Sequence, residues 1–408
     1  MPMQKNDLLK RYIETRKKTL FICKNLEIED YVVQPTDEVS PIKWHLGHTS
    51  WFFEEIILLK FNTKFIRYNK QYNNIFNSYY KSAGEHWNQN LRGQLSRPTL
   101  KEIIKYRKHV DLEIKKLLQS NNNNKINFLI ELGINHEEQH QELIYMDIKY
   151  IFNTNPEKIR YSKLQLPILK TKPNEWKTFK EDIYITGNDN KVFSYDNEKP
   201  SHKTYIYPFK IQKQFVSNQD YLNFIKDKGY FKPKYWLSNG WEWINRKKIL
   251  HPEYWHKINN KWYEFTLHGL LPIYKNAPVS HISYYEASAY AKWDNSRLPT
   301  EEESEVYLKS IKAVSKKSNS INYHVNDTSI VTNNLWWWTK SHYSSYPGFI
   351  PFQASIEEYN EKFMCNQFVL KGGCIVTPKG HHRNSYRNFY EPHQRWMFSG
   401  IRLVRDIK

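Results

Sequence analysis

Residues His136-Glu137-Glu138-Gln139-His140-Gln141-Glu142 carry the densest chemistry in the chain. They contain H-E-x-x-H, the mark of a zinc peptidase in which the glutamate serves as general base. They also contain H-x-x-x-H-x-E, two imidazoles followed by a carboxylate, which suits other metals and other reactions. On a helix over 125–152, projected at about 100° per residue, Leu129, Leu132, Gly133, His136, His140 and Leu143 share one face. Glu137, Glu138 and Gln141 fall toward the flanks and solvent. Two neutral imidazoles four residues apart on an inward face can hold one ion from adjacent turns. A pair of hydrogen-bonded core histidines is the bland alternative, and the carboxylate that follows favours the metal.

A metal needs a third ligand. The stretch Trp44-His45-Leu46-Gly47-His48 offers His45 and His48, and periodicity does not choose between them. Three histidines would leave positions open for water, substrate or dioxygen, unlike a closed four-ligand structural site. The peptidase reading fares worse. A metzincin needs Gly three residues past the second histidine and a third His three further on, where this chain has Leu143 and Met146. A distant glutamate, as in other zinc peptidases, stays open.

The elements that must position these residues are helical. Segments 6–24, 40–61, 98–119 and 125–152 have helix length and Leu/Ile/Lys texture. Ser40 can cap the second, with Pro41 at its first helical position. Asn121 to Asn124 read as an exposed loop tip. Four helices joined by loops predict a four-helix bundle over 1–155, and facing bundle helices are a natural frame for a metal. Beyond it the texture becomes short, aromatic and turn-rich. Residues 156–180, including KLQLPILKTKPNEWKTF, read as a connecting segment, and 181–408 as an irregular β-rich domain with helical insertions such as SYYEASAYAKWDN. The fold class is α+β.

Composition bounds the rest. The chain has 408 residues, 39% hydrophobic and 16% aromatic, enough for two cores. Its net charge of +19 comes from dispersed lysines and arginines, so no nucleic-acid partner is expected. No apolar run approaches the roughly 18 residues of a membrane span, and the N-terminus lacks the apolar core of a signal peptide. Three scattered cysteines, Cys23, Cys365 and Cys374, make no disulfide framework. These features predict a soluble, reduced, cytoplasmic protein. They do not give its oligomeric state.

Several longer stretches carry a resemblance: SPIKWHLGHTSWFFE, FNSYY, RGQLSRPT, HEEQHQE, YDNEKPSH, WDNSRLPTEEE, NLWWWT, YPGF and the tail KGGCIVTPKGHHRNSYRNFYEPHQRWMFSGIRLVRD. In this order and spacing the chain resembles the iron(II)-dependent sulfoxide synthases of ergothioneine biosynthesis. The family joins a DinB-like four-helix bundle to a formylglycine-generating-enzyme-like domain of C-type-lectin fold. The resemblance implies Fe(II) on His48, His136 and His140, with dioxygen as co-substrate. It implies a reaction that joins the sulfur of cysteine or γ-glutamylcysteine to the imidazole carbon of hercynine and oxidises it to the sulfoxide. Tyr79 and Tyr80 match the tyrosine pair of the branch that uses free cysteine, and a tyrosine proton or electron keeps the thiol from simply being dioxygenated. Gln139 resembles the residue that hydrogen-bonds the acceptor imidazole. Arg387, Asn388, Phe389 and Tyr390 match the strand lining the acceptor pocket, where aromatic faces suit a quaternary ammonium. Glu142 is expected to orient a ligand histidine through its other ring nitrogen.

The chain departs from the pattern at four places. Gly84-Glu85-His86-Trp87 stand where an arginine is expected, which leaves Arg92 or Arg97 for the donor carboxylate. Trp337 stands where Glu is usual, Ser304 where Trp is usual, and Cys374 where Ser is common. Cys365 and Cys374 do not resemble the copper-binding pair of formylglycine-generating enzymes and read as small buried hydrophobes. Rival readings on the same scaffold are a C–S or C–Se bond former with histidine, γ-glutamylcysteine or a selenium donor, and a metal-dependent thiol transferase. A non-catalytic binding module would leave the histidines unexplained.

Overall fold

A computed structural model of the chain describes residues 5–120, 123–163, 174–189, 192–311, 323–325, 327–329, 331–352, 356 and 359–407. Part of the Asn121–Asn124 loop tip and residues 164–173 of the connecting segment lie outside them. The chain divides into two compact units. The first is Met1–Glu157 with the returning segments Asn190–Ser194 and Pro351–Glu361, and the second is the remainder.

The first unit is helical: α1 Lys5–Ile22, α2 Ile42–Phe53, α3 Leu59–Phe61, α4 Tyr72–Phe76, α5 Leu100–Ser120 and α6 Asn124–Thr154. α1 packs on α6, and α2 packs on both α5 and α6. Every residue of α2 is buried, so its polar side chains need internal partners. Thr49 and Ser50 donate back to the carbonyls of His45 and Leu46, and Lys43 Nζ donates to Leu95 O. A wider π-helical turn, Glu54–Leu58, carries α2 into α3. There the buried Glu54 accepts from the Tyr106 hydroxyl at 2.7 Å.

The start of α2 differs from expectation. Pro41 is the residue before the helix, and the Ser40 side chain does not cap it. Instead Ser40 N–H donates to Asp147 on α6, and its hydroxyl accepts from Arg92. At α6, the side chain of Asn123 caps the helix by accepting from Lys125 N–H. The polar loop therefore also starts the helix that carries two of the histidines.

The flanks assigned to α6 are corrected as well. Glu137, Glu138 and Gln141 are buried, whereas Leu143 is only half-buried. α6 is covered on more than one side, so a single apolar stripe does not describe it. Glu137 is fully enclosed, where it takes Arg16 Nη1 and Arg107 Nη2, each at 2.8 Å, and the Thr19 hydroxyl at 2.6 Å. Gln141 Nε2 donates to Thr15 O, and Glu138 accepts from Arg11.

The second unit holds β1 Trp176–Phe179, β2 Asp182–Thr186, β3 His202–Ile206, β4 Phe209–Gln212, α7 Asn218–Lys226, α8 Ser238–Lys247, β5 Trp255–Ile258, β6 Lys261–Thr266, β7 Gly269–Pro272, α9 Tyr284–Trp293, α10 Glu301–Lys309, β8 Trp336–His342, β9 Phe368–Lys371, β10 Asn388–Tyr390, β11 Ser399–Gly400 and β12 Val404–Asp406. Its sheets run β1-β4-β12, β10-β9-β8-β11, β2-β3 and β5-β6-β7. The pairings are antiparallel except β8 with β11. Ile206, Phe209, Ile211, Val306, Tyr307 and Val404 form one core cluster. α9 and α10 start on matching boxes: Ser283 with Glu286, and Thr300 with Glu303, each side chain bonding the other's backbone N–H.

Trp336, Trp337 and Trp338 are all buried along β8. Two of the four departures from the family pattern touch one another here, since Trp337 Nε1 donates to Ser304 Oγ at 3.0 Å. Cys374 is buried as expected, but Cys365 is exposed, because it follows the short turn Glu361–Phe363 at the surface. No helix among the described residues is long and apolar enough to cross a membrane.

Candidate metal centre

α2 and α6 bring His48, His136 and His140 together. One ring nitrogen from each lies within 4.8 Å of the others, and all three side chains are buried. His48 Nε2 stands 3.1 Å from His136 Nε2. Two nitrogens each about 2.1 Å from one ion, at a right angle, would be about 3.0 Å apart.

Burial pushes all three imidazoles down, His48 and His140 well below the ordinary histidine value and His136 to about 3. Their mutual repulsion adds to this at His48 and His140. Neutral imidazoles are the form that binds a metal.

The ring nitrogens facing away fix which lone pairs point inward. His48 Nδ1 donates to Phe76 O at 2.6 Å, which leaves Nε2 as the bare nitrogen. His140 Nδ1 lies 2.8 Å from His45 Nδ1, and His45 Nε2 lies 2.8 Å from Asp147 Oδ2. The arrangement in which His45 donates to Asp147 and accepts from His140 leaves His140 Nε2 bare too. His136 Nδ1 is buried with no hydrogen-bond partner among the described residues. A donor set of buried neutral imidazoles, two of them held from behind, fits a divalent transition metal.

His45 therefore stands behind His140 rather than among the three converging ring nitrogens. His140 is backed by His45 and, through it, Asp147, and Glu142 is buried on the same helix. The peptidase reading loses its base, because Glu137 is enclosed by Arg16 and Arg107. These two outweigh its burial and hold its carboxyl at about 2.

An aromatic stack surrounds His48. Trp44 lies 4.6 Å away on one side at 10°, and Trp51 5.5 Å away at 16°. Trp51 contacts Tyr80 at 5.7 Å, and Tyr80 stacks on Tyr79 at 4.5 Å with hydroxyls 3.3 Å apart. Tyr80 is buried and Tyr79 half-buried. Gly47 allows this approach of chain to chain, since a Cβ there would stand 2.2 Å from the ring of Phe76.

A residue the sequence reading missed is Tyr359, on the segment that returns to the first unit. Its ring centroid lies 6.0 Å from that of His136, and its hydroxyl donates to Gln139 Oε1 at 2.6 Å. Nothing in the sequence around Tyr359 sets it apart from the other tyrosines.

The remaining candidates are placed as follows. Arg92 is buried against Trp44, and Arg97 is exposed with Nη1 on Ser96 O. In the second unit the guanidinium of Arg387 pairs with Glu301 and also donates to Asn197 O and Ser344 O. Asn388, Phe389 and Tyr390 are half-buried on β10, where Phe389 stacks on Tyr343 at 4.1 Å. His86 lies by Lys81 in an exposed pair.

Comparison with known proteins agrees with these two units. Residues 11–144 match the DinB superfamily, and residues 169–310 match the sulfatase-modifying factor enzyme 1-like domain. The hercynine oxygenase of Mycobacterium tuberculosis is 29% identical over 55% of this chain and 59% of its own length. That of Mycolicibacterium smegmatis is 28% identical over 55% and 59%. Ergothioneine biosynthesis protein 1 of Schizosaccharomyces pombe is 26% identical over 52% of this chain and 28% of its own length. The chain thus spans less than two thirds of each of these relatives. It joins a helical DinB-superfamily domain to a C-type-lectin-like domain of the sulfatase-modifying-factor kind, and is a homologue of the hercynine oxygenases and of ergothioneine biosynthesis protein 1.

Proposed function

We propose that the chain is an Fe(II)- and dioxygen-dependent sulfoxide synthase that joins the sulfur of cysteine to the imidazole carbon of hercynine. The observation that carries this reading is the convergence of His48, His136 and His140 as buried imidazoles, two of them, His48 and His140, held from behind. The names of the relatives supply the acceptor, hercynine, and the oxidative character. In the net reaction an imidazole C–H and a thiol S–H break, C–S and S–O bonds form, and the second oxygen atom leaves as water.

Fe(II) bound to the three histidines supplies open coordination positions and the redox chemistry that dioxygen requires. The side chains do the rest. Gln139, its carbonyl engaged by the Tyr359 hydroxyl, is oriented to hydrogen-bond the acceptor imidazole. Tyr79 and Tyr80, with hydroxyls in contact, can pass a proton between them and onward to the reacting oxygen.

Oxygen uptake tests the reading. Anaerobically loaded with Fe(II), the chain is expected to consume dioxygen at its full rate only with hercynine and cysteine together, and His136→Ala is expected to consume none. Full uptake with thiol alone would make it a thiol dioxygenase and overturn the proposal.

A further inference from the structure

We propose that Arg92 is a positioning residue for two of the three histidines, holding His48 through Trp44 and His140 through Ser40, Asp147 and His45. The inference rests on reading the histidines as a metal site, and it concerns the free enzyme before any substrate binds.

Arg92 is 5% exposed, and among the described residues no carboxylate pairs with it. A buried cation without a counter-ion is unfavourable unless its neighbours compensate. Burial pulls its guanidinium down to about 9, with Asp147 opposing. What compensates it leads in two directions, and each ends at a candidate ligand.

The first direction is a stack. The Arg92 guanidinium carbon lies 3.4 Å from the centroid of Trp44, the closest cation-over-ring contact recorded in the described residues. Trp44 is in turn parallel to His48 within 10° at 4.6 Å. Trp44 Nε1 donates to Ile75 O at 2.9 Å, so the indole cannot swing in its own plane. A guanidinium packed over an indole pinned at its edge limits how the indole, and with it the stacked imidazole, can shift. A lysine ammonium would keep the charge and lose the flat contact.

The second direction is a hydrogen-bonded chain. Arg92 Nη1 donates to Ser40 Oγ at 2.9 Å, and Ser40 N–H donates to Asp147 Oδ2 at 3.1 Å. The same carboxylate oxygen takes His45 Nε2, and His45 meets His140. Ser40 stands just before α2 and Asp147 on α6, so Arg92 braces the junction of the two helices that carry the ligands.

The competing role, binding the donor carboxylate, makes a different prediction. It would leave metal binding untouched and raise the KM for the thiol alone. The test is therefore run without substrate. Apo wild type, Arg92→Met, Arg92→Lys and Ser40→Ala are titrated anaerobically with Co(II), and the dissociation constant and visible ligand-field bands are read. Wild type is expected to bind one ion, and His136→Ala none. Arg92→Met is expected to bind at least about tenfold more weakly with shifted bands, the usual effect of removing a partner that orients ligands. Arg92→Lys should fall between, and Ser40→Ala, which cuts one branch, should weaken binding less than Arg92→Met.

Wild-type affinity and bands in Arg92→Met, or in Arg92→Lys and Ser40→Ala should Arg92→Met fail to fold, would overturn the inference while leaving the metal site standing. Wild-type protein that binds no Co(II) at the histidines would overturn the metal reading and this inference with it.

Discussion

His48 and His140 are held from behind by a carbonyl and by a His–Asp pair, and the next side chain along α6 from His136 closes a different network. Glu137 joins Arg16 from α1 and Arg107 from α5 with no surface exposed, so it ties three helices at the level of the candidate ligands. Removing one member leaves buried charge unpaired, which costs about 3–5 kcal/mol. Glu137→Ala is expected to lower the urea unfolding free energy by that amount; a loss under about 1 kcal/mol would show the network is not a brace. The sequence made the pair His136 and His140 legible because spacing along one helix is local information. It placed Glu137, Glu138 and Gln141 on the outside because a stripe argument assumes one covered face, and α6 has more. His45 with Asp147, 102 residues apart, and Gln139 with Tyr359, 220 apart, depend on tertiary approach that no spacing encodes.

Between elements, close approach at small residues sets the site. Gly47 on α2 admits Phe76 of α4, and Phe76 in turn supplies the carbonyl that takes His48 Nδ1. Gly47→Ala must displace that ring, and overpacking of this kind costs about 1–3 kcal/mol. The expected outcome is a lower melting temperature together with weaker metal binding, since the same displacement moves the His48 acceptor. Unchanged metal affinity in a destabilised variant would separate packing from positioning. The helices of the first unit were legible from texture, though a start was shifted: Ser40 serves Asp147 and Arg92 rather than α2. In the second unit, α9 lies within the helix expected at SYYEASAYAKWDN, while α10, starting on the Thr300–Glu303 box, was not singled out in the sequence although that box is local information. The departures at Ser304 and Trp337 looked independent in sequence. Together they form one hydrogen-bonded contact, so each accommodates the other as scaffold.

Within the second unit, ion pairs join motif stretches that are far apart in the sequence. Glu198 of YDNEKPSH holds Arg383 of the tail, and Glu301 of RLPTEEE holds Arg387. Burial alone would raise Glu198, but Arg383 and Ser385 outweigh it and its carboxyl lies below the ordinary value of 4.5. A depressed folded value stabilises fully above that ordinary value and loses its effect as pH falls through the folded one. The stability difference between wild type and Glu198→Gln should therefore be largest near neutrality and shrink on acidification below about pH 4.5; a difference that grows there would reverse the assignment. The charge of +19 remains a dispersed surface property, and no step of the proposed chemistry draws on it. The change in texture near residue 155 is a sequence feature, while the returns of Asn190–Ser194 and Pro351–Glu361 to the first unit were not legible, because neither segment has a periodicity of its own. The central claim is the reaction, and isotopic oxygen tests it most directly. Chain loaded with Fe(II) without air is given hercynine, cysteine and ¹⁸O-labelled dioxygen, and the products are weighed by mass spectrometry. The account expects a hercynylcysteine sulfoxide bearing one labelled oxygen, absent in His136→Ala. Labelled cysteine sulfinate alone, or no product from folded, iron-loaded protein, would contradict it.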